Sequence, residues 1–310
     1  MIALYKIFKP VFFHDDNSDV AAWSYEVVNL AKILFKNGHE VCMISESDLK
    51  ENDDIKIGNI NEWYSRIIII GGTFKEDKYR DGVIKKLSKQ CTRLDFILTD
   101  LALQPDNKDL YKYFTNIYTM ASQPIIQAKD IWGFPIPEIY GGLAELRLYD
   151  IKMEEIPEKT IEFYFGGTER KRLDDFLEYI WRPGHVITTK SKFLGIENRS
   201  TRTEFLKTLS KTKYSICIAD PECNEKHFMS PRPYECFVND IIAFTDSKFD
   251  IDGKIIPKDS WLRVHNYKEL REKMNELNEN KEKYNEIIAW QHLQITEDKI
   301  NGDYIYNIIK

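Results

Sequence analysis

Three short segments carry residues suited to chemistry on a phosphate-bearing ligand. The first is Phe165-Gly166-Gly167-Thr168-Glu169-Arg170-Lys171-Arg172. It follows the apolar run Ile161–Phe165, which reads as a strand. Two glycines let a backbone approach a ligand closely, and a helix start offers free N–H groups to an anion. Arg170, Lys171 and Arg172 fall in the first turn of the next helix, the end of the dipole where cations are unfavourable. A phosphate or diphosphate held between them removes that conflict; a solvated basic turn is the plainer reading. The motif is neither GxGxxG nor a P-loop. The second segment is Arg232-Pro233-Tyr234-Glu235, with proline early in a helix. Arg232 and Glu235 are three apart and share a face. An arginine for phosphate and a carboxylate for ribose hydroxyls is one reading, an intrahelical ion pair the other. The third is Asp100, directly after the buried run Leu94–Leu98. It is placed to be a general base or to cap the next turn. Gly71-Gly72-Thr73, after four isoleucines, is a further strand end of the kind where α/β sheets bind ligands.

Other patterns point to less. Asp250-Ile251-Asp252 has the spacing of a metal–diphosphate motif, but the following Gly253 favours a plain turn. The six histidines show no metal-ligand spacing. The five cysteines form no CxxC pair, so buried reduced thiols are expected and cytoplasmic localisation with them. The chain has 44 basic and 50 acidic residues, hence −6, which is not the balance of a nucleic-acid coat. The charge is uneven, however. From Arg182 to Lys213 eight basic residues face two acidic ones, a local +6. That run is a solvated surface or a face that tracks phosphates. No apolar run is long enough to span a membrane.

These segments need a scaffold that presents strand ends. At 310 residues with 43% hydrophobic content, one large or two ordinary globular domains are expected. Buried strands alternate with amphipathic helices. Strands are expected at Ile2–Phe8, Glu40–Ile44, Ile67–Ile70, Leu94–Leu98 and Asn116–Met120. Helices are expected at Trp23–Lys36, closed by Asn37-Gly38, and at Asp81–Gln90. The prolines of Trp132–Pro137 break the pattern, and 138–160 is expected to be irregular. Alternation resumes with strands Ile161–Phe165, His185–Thr188, Tyr214–Ile218 and Ile241–Phe244. Helices at about 169–180, 201–210 and 232–239 separate them. From Tyr267 onward the chain is charged and helical. Two successive doubly wound α/β halves and a helical tail describe a two-domain nucleotide-binding architecture.

Taken in order, these residues resemble the phage DNA β-glucosyltransferases. The likeness spans most of the chain. Ser24-Tyr25-Glu26 through Asn37-Gly38 is similar to the family's first helix, with Glu26 at the place of a glutamate near the donor sugar. Leu98-Thr99-Asp100-Leu101 resembles its strand-end FTDI, whose aspartate is the catalytic base. Phe165-Gly166-Gly167-Thr168-Glu169-Arg170 is similar to its YGGSFR donor-phosphate loop. Arg232-Pro233-Tyr234-Glu235 matches its RVWE, where the arginine meets diphosphate and the glutamate ribose. Phe244-Thr245-Asp246 and Lys248-Phe249-Asp250 resemble the strand and loop that follow. The family's second phosphate arginine falls at Asp174 here, with Arg172 two residues short of it. Ala102, Leu103 and Gln104 precede Pro105 where the family has arginine then proline.

The resemblance implies a GT-B fold: two Rossmann-like doubly wound domains facing a central cleft, with a C-terminal helical tail. The expected division is an acceptor domain at 1–135, a linker at 136–160 and a nucleotide-sugar domain at 161–285. Helices at 286–310 are expected to return to the N-terminal domain. The implied activity is inverting transfer from a UDP-sugar to the hydroxymethyl group of hydroxymethylcytosine or hydroxymethyluracil in double-stranded phage DNA. Asp100 would be the base. Glu26, Gly166, Gly167, Thr168, Arg170, Arg172, Arg232 and Glu235 would hold the donor. The UDP-sugar is a co-substrate, and Mg2+ or Mn2+ would need no dedicated protein site. The resemblance also makes Asp250-Ile251-Asp252 a loop feature, against a metal-dependent GT-A fold. A monomer without membrane attachment is expected, cytoplasmic in the host cell. The alternatives are a GT-B enzyme with a small-molecule or glycan acceptor, and a catalytically silent UDP-binding relative.

Overall fold

The computed structural model describes residues 1–6, 23–44, 56–71, 78–98, 112–119, 138–140, 157–167, 173–191, 196–197, 202–221, 230 and 232–310. The chain divides into two compact units. The first holds the described residues before 150 together with 301–310, and the second those from 157 to 300.

The first unit contains β1 (Ile2–Lys6), α1 (Trp23–Lys36), β2 (Val41–Ile44), β3 (Lys56–Ile57), β4 (Tyr64–Gly71), α2 (Lys78–Leu87), β5 (Cys91–Leu98), β6 (Asn116–Thr119) and β7 (Glu138–Tyr140). The strands form one parallel sheet in the order β3-β2-β1-β4-β5-β6-β7. The order reverses between β1 and β4, so the carboxyl ends of these strands flank a topological switch point. The isoleucine run lies in the middle of this sheet. Ile67 and Ile69 sit in a cluster with Phe96, Ile117 and the α2 residues Val83, Ile84 and Leu87. Ile68 and Ile70, which alternate with them, are equally buried. Burial on both faces is why the run has no polar alternation. Helix α1 ends as its sequence predicts. Gly38 takes φ 82°, the Gly38 N–H donates to the Phe35 carbonyl and the His39 N–H to that of Leu34, closing a glycine C-cap.

A polar group crosses the first sheet. Asp95 of β5 is fully buried and accepts from Arg66 Nε at 2.6 Å and from Arg93 Nε at 2.8 Å. Both arginines also donate to the Tyr118 hydroxyl, at 3.2 and 2.7 Å. The Tyr118 hydroxyl in turn donates to the Ile309 carbonyl at 3.4 Å, joining this group to residues 301–310.

The second unit contains β8 (Ile161–Gly166) and α3 (Leu173–Asp175), which runs on as a π-helical turn, Phe176–Ile180. It continues with β9 (Val186–Thr188), β10 (Lys190–Ser191), β11 (Ile196–Glu197), α4 (Arg202–Ser210), β12 (Thr212–Cys217) and α5 (Arg232–Phe237). Last come β13 (Ile242–Asp246), β14 (Arg263–Val264), α6 (Tyr267–Glu279), α7 (Lys281–Leu293) and α8 (Glu297–Ile300). Its parallel sheet has the order β14-β13-β12-β8-β9. The first strand, β8, has the second on one side and the third on the other. This is the flavodoxin-like order, with its switch point between β8 and β12. β10 and β11 pair antiparallel as a separate ribbon. Asn266 and Asn280 cap α6 and α7 by accepting from the N–H groups of Glu269 and Lys283, which breaks the charged stretch into two helices.

Several boundaries differ from the sequence reading. Residues 138–140 are not irregular: Glu138, Ile139 and Tyr140 pair with β6, so the first sheet extends past 135. Of the helix expected at about 169–180, residues 173–180 are helical and 169–172 lie outside the described residues. At the chain's end, 286–300 remain with the second unit, and only 301–310 join the first. Gln291 supplies the reason. It is fully buried, accepts from the Ala243 N–H at 3.0 Å and donates to the Ile241 carbonyl at 2.9 Å. Its amide thus satisfies the edge of β13 where β14 does not reach. Helix α9 (Asp303–Ile309) is tied to α1 by Lys36, which donates to the Asn301 carbonyl and to Asp303, and by a His39–Tyr306 contact at 3.1 Å.

Candidate functional site

The carboxyl edge of the second sheet, at its switch point, gathers Gly166, Gly167, Arg232 and Glu235. Helix α5 is placed there by its apolar side chains. Pro233, Tyr234, Cys236 and Phe237 are all buried, and Phe237 meets Trp290 of α7 edge-on at 6.1 Å. That packing fixes Arg232 at the head of the helix. Arg232 donates to the Gly166 carbonyl at the end of β8. Its guanidinium lies 3.3 Å from the Glu235 carboxylate and 5.3 Å from the centroid of the Phe205 ring of α4. Burial is the largest influence on Arg232 and opposes its charge. The Glu235 carboxylate, with smaller contributions from Cys236, Tyr164 and Cys217, carries its pKa above the ordinary value. The side chain keeps one fifth of its surface exposed. The result is a fixed cation beside a carboxylate at a strand end, able to take an anion on one side and hydroxyl groups on the other.

The glycines act differently from the sequence argument. A Cβ on Gly166 would lie 2.6 Å from the Tyr164 hydroxyl and 2.8 Å from the Phe205 ring. The protein's own side chains therefore fill that space. The Gly167 N–H donates to the Thr188 carbonyl at 3.0 Å, extending the β8–β9 ladder, so it is not offered to a ligand. Thr168, Arg170 and Arg172 lie outside the described residues. So does Asp100. β5 is described to Leu98, which is level with Gly71 of β4 and Thr119 of β6 at the carboxyl edge of the first sheet. Glu26 is placed on α1 by its backbone, and its side chain is outside the description. The ion-pair reading of Arg232 and Glu235 is realised, and the two residues do lie together at the strand end.

Two residues at the same edge escaped the sequence reading. Asp220 lies three residues past the end of β12 and is 8% exposed, while Thr189 follows β9 at 2%. The Thr189 hydroxyl has no hydrogen-bond partner among the described residues. The signal for Asp220 was present, an apolar strand followed by Ala-Asp-Pro, but no motif marks Thr189. The Asp250-Ile251-Asp252 pattern is a turn, as its glycine suggests. Asp250 accepts from the N–H groups of Lys254, Ile255 and Ile256 at 2.8–2.9 Å. Within the basic run 182–213, Arg182 donates to the Glu178 carbonyl and its guanidinium lies 4.5 Å from the Tyr267 ring centroid. Among the described residues, no group of three or more His, Cys, Asp or Glu could hold a metal ion. No helix among them is long and apolar enough to cross a membrane.

Two doubly wound α/β units in succession, the second with its polar cluster at the switch point, have the architecture of the GT-B fold. No family profile matches the sequence, and no curated protein matches it. Fourteen chains of solved structures do. One is described as "T4 phage beta-glucosyltransferase: substrate binding and proposed catalytic mechanism". It matches with a TM-score of 0.74 over 100% of this chain and 99% of its own, at 18% identity. At that identity the likeness is one of fold.

Proposed function

We propose that the protein is an inverting glycosyltransferase that moves a sugar from a UDP-sugar to the hydroxymethyl group of a modified base in phage DNA. The observation that carries this reading is the end-to-end match to the T4 β-glucosyltransferase fold, with Arg232 and Glu235 at the switch point of the second unit. The first unit is read as the acceptor domain and the second as the nucleotide-sugar domain. Arg232, with Arg170 and Arg172, would stabilise charge on the departing diphosphate. Glu235 would hold ribose hydroxyls, and Glu26 would lie near the sugar. Asp100, two residues beyond β5, would take the proton from the hydroxymethyl oxygen as that oxygen attacks the anomeric carbon in line. One displacement inverts the anomeric centre. A base inside a duplex would have to be flipped out to reach Asp100. A non-DNA acceptor is the second reading, favoured by the net charge of −6.

Nucleoside mass spectrometry tests the proposal directly. The protein is given a panel of UDP-sugars and duplex DNA with hydroxymethylcytosine, hydroxymethyluracil or neither. A sugar-sized mass gain confined to one hydroxymethylated base is expected. No gain with any pairing, while UDP still binds, would overturn the DNA reading.

A further inference from the structure

At the edge of the second sheet opposite Arg232, one amine holds two helices. Lys159, two residues before β8, donates from Nζ to the Ser210 carbonyl at 3.0 Å and to the Asn239 carbonyl at 2.5 Å. Ser210 is the last residue of α4, and Asn239 lies two residues past α5. Carbonyls at a helix's carboxyl end are its negative pole, and a lysine ammonium is a suitable partner for them. The same two helices carry the parts of the site. α4 brings Phe205 under the Arg232 guanidinium and against Gly166, while α5 brings Arg232 and Glu235. α5 is six residues long, so a pin at its carbonyl end leaves little freedom at its head.

We propose that Lys159 is a positioning residue for the donor site: its ammonium fastens the carbonyl ends of α4 and α5 and so fixes the side chains around Arg232. This rests on the donor reading of Arg232 and Glu235. The latch is sensitive to pH in the neutral-to-alkaline range. Burial draws the Lys159 amine down to about 8, against the opposing pull of the Asp240 carboxylate and Cys236. Asp240 is itself held by His292 Nε2 at 2.5 Å, and its carbonyl accepts from the Tyr284 hydroxyl at 3.4 Å. Among the described residues, Asp240 and Cys236 act on the latch, and His292 and Tyr284 are bound to Asp240. As the amine loses its proton its bonds to the two carbonyls lose their charge-assisted strength.

UDP binding by calorimetry from pH 7 to 9, for the unaltered protein, K159M and K159R, tests the proposal. At pH 7, K159M should bind UDP on the order of tenfold more weakly, the scale of one charge-assisted hydrogen bond. K159R should restore most of the loss. Affinity of the unaltered protein should fall as pH passes 8, while K159R, charged throughout, should hold. Equal affinity of a folded K159M at pH 7 would overturn the proposal. So would a loss that K159R does not repair, which marks a merely structural role. Should K159M fail to fold, parallel pH profiles for the unaltered protein and K159R would overturn it. Absence of UDP binding by the unaltered protein would instead overturn the donor reading itself.

Discussion

Replacing Arg232 by alanine separates its two roles. The change removes the donor to the Gly166 carbonyl and leaves the Glu235 carboxylate, one tenth exposed, without the cation 3.3 Å away. Removing one member of a buried pair costs about 3–5 kcal/mol. Arg232 keeps a fifth of its side chain in water, so about 3 kcal/mol is expected, near the lower limit. For a unit of this size that lowers Tm by roughly 6–12 °C. If the guanidinium also makes a charge-assisted bond to diphosphate, UDP affinity should fall roughly 10–100-fold. The double change Arg232→Met with Glu235→Gln removes both charges and should recover most of the stability without recovering UDP binding. Thermal unfolding and UDP calorimetry read the two effects separately. A folded Arg232→Ala protein with unchanged UDP affinity would refute the donor role and leave only an ion pair. A double variant as unstable as the single one would refute the ion-pair argument.

Asp100→Asn should cost about 10²–10⁴ in transfer rate with UDP affinity unchanged, measured by single-turnover mass spectrometry and calorimetry. Near-normal turnover would end the assignment. Gly166→Ala should destabilise by about 1–3 kcal/mol through collision with Tyr164 and Phe205, read from urea midpoints. Adding Tyr164→Phe, which removes the nearest oxygen, should return part of it. Asp95→Asn leaves Arg66 and Arg93 facing a neutral group, and about 3–5 kcal/mol should be lost with UDP binding intact. His185 stacks on Phe163 at 4.0 Å. Burial foremost, then Arg271 and Arg182, hold its pKa below the ordinary value against the Ile180 carbonyl and Glu162. The unfolded chain therefore binds a proton that the folded one refuses, and stability should fall as pH drops below about 6.5. A His185→Leu protein should lose that slope between pH 7.5 and 5; an unchanged slope would contradict the argument.

The scaffold was legible in the sequence where one physical signal dominated. The isoleucine run could only be a strand buried on both faces, and Asn37-Gly38 could only close a helix, so β4 and α1 lie where they were expected. The short strands β3, β7 and β14 were not legible. Each lies at a sheet edge with two or three residues, held by neighbours remote in sequence and not by its own pattern. The pairing of Arg232 with Glu235 followed from helical spacing. Gly166 was found for an incomplete reason, because no local pattern says that Tyr164 and Phe205 fill its missing side chain. Thr189 and Lys159 were invisible for a similar cause. A lone threonine or lysine acquires meaning only from carbonyls and strands dozens of residues away.

The bond from Tyr118 to the Ile309 carbonyl ties the first unit to residues made long after the rest of it. At the usual pace of synthesis, the intervening 151–300 segment takes roughly 8–30 s to make. Throughout that interval the sheet bearing Arg66, Asp95 and Arg93 waits on the ribosome with its final helix missing. The first half of the chain to emerge is thus the last to be finished. Completion of its fold reports that the second half has already been translated.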